Sequence, residues 1–177
     1  AFYWLELALR RNPELEQAWQ LMGGIFARHN QADRFIAQWG ETKPRGDQAW
    51  LKLAQQAARL QAWEGALILA NQFVTEETPS AEEMLAAFAL EMRNAKKAQE
   101  WLEQATTKHP ESFSPWLMRA DLAIALQQPD EAQKNLEEAE KRNAPAEEIE
   151  KRKARLQGET PGTPEATPFE AVRSYIQ

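Results

Sequence analysis

His29 and His109 are the only histidines of the chain, 80 residues apart. Histidine is the usual proton carrier near neutral pH and a frequent metal ligand. Neither a His-x-x-x-His nor a His-Glu-x-x-His spacing occurs, and there is no cysteine, so a metal or thiolate site has no local support. Each histidine falls near the end of a helical stretch, where the helix dipole favours a cation. The remaining candidates for acid–base chemistry are the adjacent carboxylates Glu76–Glu77, Glu82–Glu83 and Glu147–Glu148. Glutamate is common on exposed helix surfaces, and all three pairs are expected to be solvated. Gly23–Gly24 lies inside a helical stretch, not in a phosphate-binding loop. No Ser–His–Asp set can be nominated. The chain is therefore expected to be no enzyme, with no cofactor and no metal.

The balance of charge narrows the partners. Twenty-seven acidic against 21 basic residues give a net charge of −6 and a pI near 5.1. Binding through nucleic-acid phosphates needs a basic footprint, so no nucleic-acid partner is expected. No run of about 18 apolar residues is present, so no membrane-spanning helix is expected. The compartment stays open between cytoplasm and periplasm. The opening "AFYWLELALRRNP" has no basic leader and no cleavage site; it reads as a helix already under way, as in a piece of a longer chain.

What must position any functional residue is a set of helices punctuated by proline. Pro13, Pro44, Pro79, Pro110 and Pro145 are spaced by 31, 35, 31 and 35 residues. Proline cannot continue a helix and disfavours helical geometry just before it, so a break recurs about every 33 residues. Trp19, Trp50 and Trp116 each follow a break by six residues. Between breaks the apolar residues keep helical spacing: Trp50, Leu53, Ala54, Ala57, then Ala66, Ala70, Phe73; and Trp116, Ala120, Ala123, then Ala132, Leu136, Ala139. Turn residues fall mid-unit, in "RHNQAD", "LQAWEG", "EMRNAK" and "QQPDEA", so each unit predicts two helices in a hairpin. Ser80 with Glu83 forms a capping-box pattern and Pro129 suits a first helical turn. No alternating β-branched run occurs, so strands are not expected.

Large residues alternating with alanine at fixed places let two helices cross closely while the bulky side chains fill the space around the crossing. In this order and period the chain resembles the tetratricopeptide repeat family, whose unit is 34 residues long. The resemblance implies an all-α, right-handed α-solenoid of antiparallel helix hairpins. It covers a half repeat at 1–13 (Leu5, Ala8, Pro13), four repeats at about 16–44, 47–79, 80–110 and 113–145, and a capping helix at 146–157 with Ile149 and Leu156 facing inward. The second and fourth units match well. The third has Glu82 in place of the tryptophan. The first has Phe35 where a small residue is expected and Thr42 for the next, which predicts a short or shifted second helix. Tryptophans in register (Trp19, Trp50, Trp116) are expected in the core. Trp39, Trp63 and Trp101 are off it and are expected at the surface or between units.

In that family the first helices line a concave groove that binds peptides. One helical face, stepped from each tryptophan, then gives the partner-binding candidates. They are Gln17 and Gln20 with Gly24 and Ala27; Gln48, Leu51 and Gln55 with Ala58; Glu83 and Ala87 with Ser80 and Leu90; and Ser114, Leu117, Asp121 and Ile124. Arg28 and Arg59 would flank them. Some members clamp a peptide's terminal carboxylate with Lys and Asn; Gln20, Gly24, Leu51 and Gln55 do not reproduce that clamp.

The expected function is a non-catalytic protein–protein interaction scaffold holding a partner peptide or helix, within a larger assembly such as those of bacterial envelopes. Two alternatives stand beside it. The segment after the linker, "TPFEAVRSYIQ", places Phe169, Val172 and Ile176 on one side of a short amphipathic helix, which would make the chain self-associating or autoinhibited through its tail. An RNA-binding helical repeat is the third reading, which the acidic charge disfavours.

Overall fold

The computed structural model describes residues 2–12, 15–42 and 46–158. They form ten α-helices and one 3-10 turn, with no strand among the described residues. The chain is all-α. In order the helices are α1 (Phe2–Arg11), α2 (Glu16–Arg28), α3 (Ala32–Trp39), α4 (Gln48–Arg59), α5 (Trp63–Ala70), α6 (Ala81–Glu91), α7 (Ala95–Lys108), α8 (Ser114–Ala125), α9 (Pro129–Lys141) and α10 (Ala146–Leu156). Gly40–Thr42 form the 3-10 turn after α3. None of the described helices is long and apolar enough to cross a membrane.

Local chemistry starts and stops these helices. At α6 both halves of the capping box are made: the Glu83 amide donates to Ser80 Oγ (3.3 Å), and the Ser80 amide donates to Glu83 Oε2 (2.9 Å). Asp47 caps α4 through the Ala49 amide at 2.7 Å, and Pro129 opens α9. The ends share one device. Asn30, Gln61, Arg93, Gln127 and Asn143 all have φ between 55° and 61°. In each case the next residue's amide reaches back five residues: Gln31 to Phe26, Ala62 to Ala57, Asn94 to Ala89, Gln128 to Ala123 and Ala144 to Ala139. This left-handed cap satisfies carbonyls that the helix leaves unpaired, and it turns the chain back toward the helix just ended. Non-glycine residues rarely hold this conformation. Its recurrence after α2, α4, α6, α8 and α9 makes each such turn a near copy of the last.

Packing runs from neighbour to neighbour. Within pairs, α2 packs on α3, α4 on α5, α6 on α7 and α8 on α9. Between pairs, α2 meets α4, α4 meets α6, α7 meets α8, and α10 covers α8 and α9. Alanines hold the closest positions: Ala27, Ala54, Ala57, Ala66, Ala98, Ala105, Ala120, Ala132 and Ala139 have no exposed surface. One core runs from Leu9 to Leu122, and a second, of Leu117, Ala120, Leu136, Ala139 and Ile149, lies under α10.

Two sequence expectations change here. Phe35 is fully buried, its ring 5.6 Å from Trp19, 5.4 Å from Phe26 and 6.2 Å from Trp50. The place expected to be small is the centre of an aromatic cluster joining α2, α3 and α4. Trp39, expected at the surface or between units, is 7% exposed and packs within its own helix pair, whereas Trp101, 5% exposed, lies between helix pairs as expected. Trp39 stacks edge-on against Trp19 of the same helix pair. Trp101 on α7 meets Trp63 on α5 across two pairs, with the Lys97 ammonium over both rings.

α5 crosses close over α2 at Gly65. A Cβ there would lie 2.9 Å from both the Cα and the Cβ of Ala27 and 3.1 Å from its carbonyl oxygen. These atoms cannot swing aside as the end of a long side chain can. Glycine inside an exposed helix costs about 1 kcal/mol relative to alanine, so propensity alone favours Gly65→Ala. The crossing reverses that sign: a loss of about 1–3 kcal/mol is expected from urea denaturation. A stabilised variant would contradict the close approach.

Candidate functional site

A groove opens between α2 and α4. Its cavity is about 480 Å³, within the roughly 300–1,000 Å³ usual for binding clefts. Gln17, Gln20, Leu21, Gly24, Ile25 and Arg28 of α2 line one wall; Gln56 of α4 and Leu60 just beyond it line the other. Leu21 is 58% exposed and Leu60 39%. The floor is low because Gly24 has no side chain; a Cβ there would meet Leu60 Cδ1 at 3.4 Å. Gln20 donates to Glu16 Oε1 at 3.2 Å, and Lys52 neutralises the same carboxylate at 2.6 Å. The side chains of Gln17, Gln56 and Arg28 make no hydrogen bond or ion pair among the described residues. The groove thus presents two free amides, exposed aliphatic surface and one free guanidinium.

The other residues expected on this face meet a different fate. Leu51, Glu83, Ala87, Leu117 and Asp121 are 1–5% exposed and offer no partner-facing surface. Gln55 donates to Glu91 Oε2 at 2.8 Å, and Ser114 Oγ donates to Glu83 Oε1 in a short bond. Gln48 and Arg59 are exposed and Ile124 is half-buried, but none of them lines the groove. Phe169, Val172 and Ile176 lie outside the described residues. The physical reason for the loss is one of register. α2 packs on α4, α4 on α6 and α8 on α10, and the polar residues Gln55, Glu83, Ser114 and Asp121 of the face stepped from the tryptophans pair with a neighbouring helix. Glu16–Lys52 joins α2 to α4, Gln55–Glu91 joins α4 to α6, Glu83–Ser114 joins α6 to α8, and Asp121–Arg152 joins α8 to α10.

The acidic pair Glu82–Glu83 is likewise buried, at 4% and 3% exposure, rather than solvated. Glu82, in the place of the missing tryptophan, accepts from Lys108 Nζ at 2.5 Å, with His109 Nε2 at 3.6 Å. Burial pushes its carboxyl up, but the Lys108 hydrogen bond, a backbone hydrogen bond and the Lys108 charge outweigh it and hold the carboxyl below its ordinary value. The Glu82–Lys108 ion pair ties α6 to the end of α7.

The junction of α8 with α10 carries the densest polar network. Asp121 Oδ2 accepts from Arg152 Nε (3.1 Å) and Nη2 (2.8 Å), and Oδ1 accepts from Arg155 Nη1 (3.1 Å). Arg152 also donates to Glu148 Oε2 at 2.5 Å. Beside it, the guanidinium groups of Arg119 and Arg142 lie over the Trp116 ring at 5.2 and 4.6 Å, and this tryptophan is half-buried rather than in the core. A cleft at Arg119 and Asn135 measures about 30 Å³, room for a water or two and for no side chain. No cluster of His, Cys, Asp and Glu that could hold a metal exists among the described residues.

Sequence reasoning found Gln17, Gln20, Gly24 and Arg28 but missed Leu21, Ile25, Gln56 and Leu60. Leucines on a helix whose neighbouring faces are already filled by Trp19, Met22 and Phe26 were the available signal. No family model, curated protein or solved structure matches this chain.

Proposed function

We propose that this chain is a non-catalytic protein–protein interaction module. In this reading its helix pairs form antiparallel hairpins of tetratricopeptide type, wound as a right-handed solenoid, and the α2–α4 groove takes a peptide or helix of a partner protein. The observation that carries it is the groove itself: Leu21 and Leu60 stand exposed beside an unpaired Arg28 and the free amides of Gln17 and Gln56. Exposed aliphatic surface rimmed by polar groups is the usual composition of a recognition site. The recurring left-handed turns and the polar link at each junction support the repeat reading. The alternative, docking through the tail, rests on residues outside the described ones.

Capture of partners by the full chain tests this. Leu21→Asp with Leu60→Asp is expected to abolish capture and leave far-UV helicity unchanged, since both side chains already face water. Leu126→Asp, at an exposed leucine (44%) in the fourth unit, is the control and should capture normally. Undiminished capture by the double variant would rule the groove out.

A further inference from the structure

We infer that the α2–α4 groove selects an acidic, apolar peptide segment of another protein, with a side-chain carboxylate seated on Arg28; this rests on the reading of the groove as a recognition site. The lining holds one cation and no carboxylate, in a chain of net charge −6. The adjacent acid, Glu16, is already engaged by Lys52 and Gln20. A basic segment would find no counter-charge among the lining residues, whereas a glutamate or aspartate would meet a guanidinium that no described residue occupies. Guanidinium–carboxylate pairs are commonly bidentate, so Arg28 would fix the segment's register as well as attract it. One or two aliphatic side chains then lie between Leu21, Ile25 and Leu60, over the space Gly24 leaves open. Gln17 and Gln56 each offer a donor and an acceptor, the pair a peptide backbone requires. A nucleic acid would also seek Arg28, but one cation in an acidic chain does not make a phosphate track.

The test is binding of the full chain to two synthetic 12-residue peptides, acetylated and amidated so that no terminal charge contributes. Both carry leucine at i, i+3, i+4 and i+7; one carries glutamates on the flanking positions, its twin lysines. The glutamate peptide is expected to bind at least tenfold tighter, and more weakly as salt rises. Arg28→Glu should reverse that preference, and Leu21→Asp should abolish binding of both peptides. Equal binding of the two peptides, or an Arg28→Glu variant that binds as the parent does, overturns the charge assignment. Partner capture lost in Leu21→Asp/Leu60→Asp would then still stand for the recognition site itself. Binding of neither peptide overturns the inference. So does binding that appears only after Phe169→Ser and Ile176→Ser, which would assign the groove to the chain's own tail. A single-stranded oligonucleotide that outcompetes the glutamate peptide overturns it as well.

Discussion

Asp121→Ala is expected to cost about 3–5 kcal/mol and to release α10 from the rest of the chain. The carboxylate is 1% exposed and accepts three guanidinium hydrogen bonds from Arg152 and Arg155, whose side chains are only 14% and 18% exposed. Removing one member of a buried ion pair strands the other charge, which costs more than the pair contributes. Arg152 keeps Glu148, but that contact lies within α10 and holds nothing to α8. Once α10 lifts, Leu117, Leu136 and Ile149 lose their cover. Hydrogen exchange should show early opening at 146–156, with α2 to α5 protected as before, because α10 packs on α8 and α9 and not on those helices. The companion variant Asp121→Leu with Arg152→Met and Arg155→Leu removes all three charges together and should lose less than Asp121→Ala alone. A loss below about 1 kcal/mol for Asp121→Ala would show that the network contributes little.

The pH dependence of that cost has a definite sign. Burial pushes the Asp121 carboxyl above its ordinary value, against the pull of Arg152 and Arg155. A carboxyl with a higher pKa folded than unfolded binds its proton more readily in the folded chain, so its contribution to stability rises as pH falls between that raised value and the ordinary 3.8. Glu148 runs the other way: its hydrogen bond from Arg152 lowers its pKa, and the stability it supplies above 4.5 is lost as pH falls through the lowered value. Between the raised value and 3.8, the deficit of Asp121→Ala relative to the parent should therefore widen on acidification.

Helicity was legible in the sequence because it rests on local rules. Proline spacing, the Ser80–Glu83 box and the 3.6-residue recurrence of alanine each act within one helix, and each is met in the all-α chain. The left-handed turns were only half legible. Asn30 and Asn143 are residues that tolerate positive φ, but Gln61, Arg93 and Gln127 hold the same conformation with no such preference, because the helix pair on either side imposes it. The site was legible where one helix decides it, as at Gln17, Gln20 and Arg28 on α2. It failed where two helices decide it. Whether Glu83 or Asp121 faces water depends on Ser114 and Arg152, each 31 residues away. Much of the face expected to meet a partner packs against neighbouring helices, and its polar residues find partners 31 to 36 positions away along the chain.

Phe35 gives the sharpest contrast between the repeat pattern and the packed chain. The pattern places a small residue at this position, so Phe35→Ala should restore it and be harmless or better. The structure requires the opposite. Phe35 is fully buried and touches Trp19, Phe26 and Trp50, the rings that join the first helix pair to the second. Deleting a buried phenylalanine costs about 3–5 kcal/mol through lost burial and the cavity left behind. Edge-to-face partners add about 0.5–1.5 kcal/mol each beyond area, and Trp19 and Trp50 sit at 87° and 79° to the ring. Refilling the space would require α3 to move toward α2, yet Phe26, Trp19 and Trp39 already fix that distance. The loss should therefore stand near the upper end of the range, read from urea denaturation followed by tryptophan fluorescence. Phe35→Leu, which keeps most of the volume, should recover more than half of it. The same rings set how α2 lies on α4, and the groove is bounded by those two helices. Phe35→Ala is thus expected to weaken peptide binding at the groove even under conditions where the chain stays folded. A variant as stable as the parent would mean that the small-residue pattern read from the sequence, and not the aromatic cluster, governs this corner of the fold.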